Sequence, residues 1–297
     1  MGKATRRGAA TRRTQVSLRP WGLVAGAAAV VVVVMAVVIW QAGRSTEPQP
    51  VALTHVHGLG VNPADGTLYV ATHDGLYQLA ADGELRLVGQ GRQDTMGFTI
   101  VGPNQFLASG HSAPGQGGPA HLGLIESADG GLTWTTRSLA GQADFHALRY
   151  RHNAVYGYNS VRGQLITSTD RTSWQTRASI DLRDFDVSPD DPNTLLATTQ
   201  TGLQRSVDGG ATWTPAGGPP LLLLAWDATD RLWGVTNTGD VLRSADAGNS
   251  WSPSGRLAGP AAALAAHGGT LYAAIHDGGI FRSGDGGTTW TQMYGEN

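Results

Sequence analysis

Residues 54–60 read THVHGLG and set His55 and His57 on alternate positions, and alternate side chains of an extended strand share a face. Imidazole can ligate a metal, carry a proton near neutral pH or hydrogen-bond an anion. The chain has 297 residues, nine histidines and no cysteine. Disulfides and thiolate metal sites are therefore excluded, and a bound metal would rest on imidazole, thioether, amide or carboxylate donors. Whether two neighbouring histidines amount to a site depends on what the fold brings beside them.

The fold is legible in a repeat. SADGGLTW (127–134), SVDGGATW (206–213), SADAGNSW (244–251) and SGDGGTTW (283–290) are copies of one pattern, STDRTSW (168–174) is a shorter relative, and AADGEL from Ala80 a faded one. From residue 127 the starts are 41, 38, 38 and 39 residues apart, which makes six units of a length suited to four short strands each, the size of a propeller blade. Every unit runs through an alternating apolar stretch, a second such as TLYVATH or TLYAAIH, a third such as GIFRS, and then the motif with its tryptophan. Helical periodicity is absent after residue 41. The sequence predicts an all-β, six-bladed β-propeller over residues 51–294, with seven blades as the alternative if the stretch before Val51 or the weak first unit conceals another.

These motifs match the S-x-D-x-G-x-T-W signature of Asp-box (BNR) repeats, and the domain resembles the Asp-box β-propellers of sialidases, sortilin-type receptors and plant-type photosystem assembly factors. The resemblance implies a hairpin between the third and fourth strands of a blade, with Ser and Asp bonding local backbone, glycines in turn conformations and the Trp between blades. Asp129, Asp208, Asp246 and Asp285 are accordingly read as structural. The HVHGLG and ATHDGLY stretches are similar to those of bacterial membrane-anchored proteins labelled glycosyl hydrolases. A sialidase would carry three arginines on a carboxylate, a tyrosine nucleophile and an early arginine motif. Here VALTHVHGLG stands where that motif belongs, and Arg205, Arg243 and Arg282 each precede a motif serine, leaving Arg183 as the arginine at the mouth. An exo-sialidase is thus disfavoured. A two-carboxylate glycosidase stays open through Asp74, Asp144, Asp184, Asp186 and Asp277, with no spacing that singles out a pair.

Laying the units over one another aligns the first strands as HGLGV, MGFTI, HALRY and RDFDV, so the lead position holds His57, Met96, His146 and Arg183. In blades five and six the stretches around Leu222 and Ala262 are apolar. The second strands end on His73, His111, Asn159, Gln200, Asn237 and His276. In a propeller both rows converge on one channel mouth, joined by His55 from its shared strand face. His152 and His267 fall outside the rows. The expected ligand set is His55, His57, His73, His111, His146, His276 and Met96 for a metal, with Arg183, Asn159, Gln200 and Asn237 binding an organic ligand. Histidine with methionine outside the membrane suits copper or zinc. Three function classes follow: a metal- or ligand-binding propeller, a glycoside hydrolase of sialidase-like ancestry, and a scaffold holding a protein partner on its rim. The second unit is lengthened by GHSAPGQGGPAHLG (110–123), with His111 and His121 near its ends, either a loop that closes over a ligand or a tolerated insertion.

Residues 1–20 carry Lys3, Arg6, Arg7, Arg12, Arg13 and Arg19 without an acid, and residues 21–40, WGLVAGAAAVVVVVMAVVIW, carry no charge. A bilayer core of ~30 Å needs about 20 apolar residues as a helix, so 21–40 is expected to be a signal-anchor span. The basic cluster then marks a cytoplasmic N-terminus, with 41–50 as linker and the propeller extracytoplasmic. Beyond residue 44 there remain 14 basic and 23 acidic residues. An acidic propeller without a lysine is a poor partner for nucleic acid.

Overall fold

The computed structural model describes residues 1–2, 53, 55–115 and 117–295. Apart from residues 1–2, the basic tail, the apolar span 21–40 and the linker 41–50 lie outside them. Among the described residues no helix is long and apolar enough to cross a membrane.

Twenty-four strands, from β1 (Val56–Val61) to β24 (Thr291–Tyr294), form six sheets of four consecutive antiparallel strands. The innermost strands are β1, β5 (Asp94–Gly102), β9 (Phe145–Arg151), β13 (Leu182–Val187), β17 (Leu221–Ala228) and β21 (Ala261–His267). The expectation of six blades holds, and each blade takes all its strands from one repeat unit.

Six hydrophobic clusters occupy the six junctions between neighbouring blades. Tyr69, Leu76 and Phe106 join blades one and two, Leu107, Phe145 and Leu148 join two and three, and Leu165, Phe185 and Leu195 join three and four. Leu196, Leu224 and Trp226 follow between four and five, then Trp233, Val241 and Leu271 between five and six. The ring closes where Val56, Val70 and Tyr77 meet Ala263, Ala274 and Ile280. Burying a side chain of this kind contributes about 1.5–3 kcal/mol, so closure rests on packing and not on a shared sheet.

The repeated motif shapes the outer turn. Ser127 Oγ donates to Asp129 Oδ1 at 2.7 Å and accepts the Gly131 N–H at 2.8 Å, while Asp129 accepts the Thr133 N–H at 2.9 Å and its hydroxyl at 2.6 Å. The same bonds recur around Asp208, Asp246 and Asp285, which places these aspartates in structural roles. Gly131 has φ +90°, and a Cβ there would stand 2.5 Å from Leu76 Cδ2. Trp134, Trp174, Trp213, Trp251 and Trp290 each pack into the junction with the preceding blade. Blade one has no such tryptophan, so the closing junction lacks one.

Candidate functional site

The lead residue of each inner strand sits in a β-bulge. In blade one Val56 pairs with Thr72 and Gly58 with Ala71, which leaves His57 outside the ladder. Met96, His146, Arg183, Leu222 and Ala262 are skipped in the same way in blades two to six. A bulge adds one unpaired residue and turns its side chain away from the regular alternation. All six bulge residues line one cavity of about 250 Å3 at the channel mouth. In blades five and six the bulge residues are Leu222 and Ala262, within the apolar stretches noted in the sequence.

Two residues before the bulge, blades two and three carry Asp94 and Asp144, and these carboxylates organise the histidines. Asp94 Oδ2 lies 3.1 Å from His73 Nδ1 and 3.1 Å from His111 Nδ1, and Asp94 Oδ1 lies 3.4 Å from His57 Nε2. The other nitrogen of His111, Nε2, is 3.3 Å from Asp144 Oδ2, which also meets His146 Nε2 at 2.8 Å. Asp144 is held from behind: its N–H donates to Asn159 Oδ1 at 3.3 Å, and Ser160 Oγ donates to its Oδ2 at 3.2 Å. Burial pulls the Asp94 carboxyl upward, but the nearby His57, the hydrogen bond from His111 and the charge of His73 outweigh it and leave it below the usual range. Asp144 behaves alike, burial being outweighed chiefly by His146 and His111. Both groups are therefore carboxylates at neutral pH.

Four buried polar atoms at this site lack a hydrogen-bond partner: His57 Nε2, Asp94 Oδ1, His121 Nδ1 and Asp144 Oδ1. An orphaned buried polar atom costs about 1–3 kcal/mol, so four in one place call for an explanation. They fall into the two groups whose ligand atoms all lie within 4.8 Å of one another, His57–His73–Asp94 and His111–His121–Asp144. Donors set about 2.0–2.1 Å from a tetrahedral ion stand about 3.4 Å apart. That is the separation of His57 Nε2 and Asp94 Oδ1, a pair not aligned for a hydrogen bond. His111 is chemically unusual, because a neutral imidazole has one N–H while His111 has a carboxylate oxygen at each nitrogen.

The expected residues separate by role. His57, His73, His111 and His146 gather around the two carboxylates. His55 flanks them, its ring 6.4 Å from that of His57 and 6.1 Å from that of His73. Met96 and His276 line the mouth cavity, and His276 belongs to neither ligand group. Asn159 is buried and positions Asp144. Arg183 lines the mouth cavity and, with Gln200, an adjoining one. Asn237 is exposed and lines neither. His121 reaches the site because its backbone bridges to His111 across the lengthened loop, the two rings 5.5 Å apart. His152 contacts the Ser188 carbonyl at 2.8 Å, and His267 lines a second cavity of about 210 Å3 beyond the waist.

That waist contains an ion pair. Arg149 lines both cavities and meets Asp184 at 2.6 Å and Asp186 at 3.8 Å, while the N–H groups of Leu224 and Trp226 donate to the same two carboxylates, each at 2.9 Å. Burial opposes the Arg149 charge, but Asp184 and Asp186 outweigh it and raise its pKa above the usual value. Two of the five carboxylates considered for glycosidase chemistry are thus engaged in bracing the channel. Asp144 belongs to the histidine cluster, and Asp74 and Asp277 are exposed.

No protein-family model matches the chain, and no curated protein matches it. Solved structures share the fold. A GH74 enzyme from Niastella koreensis superposes with a TM-score of 0.60 at 15% identity, over 82% of this chain and 46% of that one. A gluconolactonase from Xanthomonas campestris gives 0.63 at 15% identity over 77% and 86%, and YCF48 bound to a D1 peptide gives 0.52 at 18% over 82% and 83%. The chain spans a little under half the length of the GH74 enzymes it matches. At such identities the likeness is one of fold, shared by proteins of different function.

Proposed function

We propose that this protein is a membrane-anchored, extracytoplasmic Asp-box propeller that binds a divalent transition metal at the channel mouth. The observation that carries the metal reading is the pair of buried, unpartnered atoms His57 Nε2 and Asp94 Oδ1, 3.4 Å apart beside His73 Nδ1. His111, His121 and Asp144 offer a second position of the same composition. Two imidazoles and a carboxylate suit zinc(II) or copper(II). His73, with a side chain 55% exposed, leaves the first position open to solvent. Second contacts of the kind His146 and Ser160 make to Asp144 orient ligands in metal sites generally. The glycoside-hydrolase alternative draws on the fold shared with GH74 enzymes. A mouth of about 250 Å3 is below the roughly 300–1,000 Å3 usual for a drug-sized ligand, and two of its candidate acids brace the channel. The apolar span 21–40 supports the anchor.

The full chain, purified in mild detergent with a tag free of histidine, is expected to retain zinc or copper and to bind either saturably. His57→Ala and His111→Ala should each weaken that binding. Metal at background, or affinity unchanged in both variants, would refute the reading. Hydrolysis of aryl glycosides that is lost in Asp144→Asn without metal dependence would support the hydrolase instead.

A further inference from the structure

The ring of bulge residues is divided. Blades one to four present His57, Met96, His146 and Arg183, whereas blades five and six present Leu222 and Ala262. The residues two positions earlier repeat the division: His55, Asp94, Asp144 and Asp181 on one side, Pro220 and Pro260 on the other. A channel that merely held water would have no reason for an apolar third of its rim.

Arg183 is the second observation. Its side chain is exposed in the mouth and has no hydrogen bond or ion pair among the described residues, although Asp181 lines the adjoining cavity with it. The contrast with Arg149, held by two carboxylates a few residues away in the fold, is sharp. With a divalent cation in each ligand group, the charges of Asp94 and Asp144 are more than balanced, and Arg183 adds a further positive charge. The cavity measures about 250 Å3. It has a waist beneath it closed by Arg149, Asp184 and Asp186. That volume fits a small molecule.

We propose that the mouth binds a small organic acid: its carboxylate meets the Arg183 guanidinium, its carbon skeleton lies against Leu222 and Ala262, and its remaining oxygen donors face the histidine side. Arginine suits the role because its planar fork pairs with a carboxylate through two parallel hydrogen bonds. The apolar side selects for hydrocarbon on the acid and against a fully hydroxylated sugar acid. The inference rests on the metal reading for its charge balance, while the Arg183 contact stands without it.

The test uses the full chain with 2-hydroxy-3-methylbutanoate as the probe and its methyl ester as the control. Binding is followed by ligand-observed NMR, with and without zinc, and the zinc content of every sample is measured. The acid is expected to bind the zinc-loaded protein at least about tenfold more tightly than the ester, and Arg183→Ala to remove that advantage, since a hydrogen-bonded charge is worth a factor of this order. Arg183→Lys should recover part of it, and Leu222→Asp should weaken the acid without favouring the ester. Equal binding of acid and ester at full zinc occupancy, or an unchanged affinity in Arg183→Ala, overturns the proposal. Protein that takes up no zinc yet binds the acid through Arg183 would retire zinc as the metal and leave the acid site standing. Protein that takes up zinc and ignores the acid does the reverse.

Discussion

Asp94→Asn separates a ligand from a structural hydrogen-bond acceptor. Asparagine keeps the volume but loses the charge, and it puts an NH2 where one carboxylate oxygen faced an imidazole. Without metal, the aligned bond from His111 at 3.1 Å is the main loss, since the His57 contact at 3.4 Å is poorly aligned. A hydrogen bond to a charged group is worth about 1.5–3 kcal/mol, and with the Asp94 side chain only 13% exposed little of that is screened. The larger effect appears with metal. At a free zinc concentration 100 times its dissociation constant, a site stabilises the wild type by about 2.7 kcal/mol. Losing contacts that merely orient ligands costs about 10–100-fold in metal affinity, so loss of a ligand belongs at about 100-fold or beyond. At the same zinc concentration the variant would then gain only about 0.4 kcal/mol from this position. The assay is urea unfolding of both proteins with and without zinc; because Asp94 also bonds His111 of the second ligand group, the difference measured is an upper bound on the loss at the first position. If zinc stabilises Asp94→Asn as much as the wild type, Asp94 is not a ligand and the orphaned pair needs another explanation.

Three further expectations concern the frame around the site. Arg149→Met leaves Asp184 and Asp186 buried without their cation and should cost about 3–5 kcal/mol in urea unfolding; a loss below ~1 kcal/mol would mean that the waist does not brace the ring. The turn aspartates make the fold acid-labile: Thr289 chiefly, with Ser283, holds Asp285 at about 2 against an ordinary 3.8. A depressed folded pKa gives stability that is complete above the unfolded value and lost as pH falls through the folded one. The melting temperature should therefore drop between pH 4 and 2, and Asp285→Asn, less stable at neutral pH, should close its gap to the wild type across that window; a gap independent of pH would contradict the assignment. Gly131→Ala combines a left-handed backbone with a Cβ 2.5 Å from Leu76 and should cost about 2–5 kcal/mol. Gly163→Ala, at φ +61° in open space, should cost about 1–2 kcal/mol, and equal losses would show that packing at Gly131 is immaterial.

Much of the fold was legible because the blade repeats. Four Ser–Asp–Gly turns and two weaker relatives mark six units, and the tryptophan that follows five of them packs where a repeating interface requires it. The histidine rows were legible for the same reason. Asp94 and Asp144 were not drawn together, although they occupy one column with His55 and Asp181, two residues before the lead position. Residues two apart share a strand face, so that column was open to the argument that joined His55 to His57, but the bulges that take the lead residues out of the ladder leave no mark in the sequence. His121 lies in an insertion without a counterpart in other blades, so no repeat could place it; its backbone bridge to His111 does. His276 and Asn237 hold the right row but the wrong sector, since the carboxylates that gather imidazoles stand in blades two and three.

A residue that lies outside the hydrogen-bond ladder is also outside most constraints on pairing. His57, Met96, His146, Arg183, Leu222 and Ala262 differ in charge, size and polarity, yet each is accommodated by the same local irregularity. The rim thus works as six interchangeable sockets on an invariant wheel, whose contents can be exchanged while the junctions between blades stay as they are. Grafting a different combination onto these positions is a direct route to new binding specificities on this scaffold.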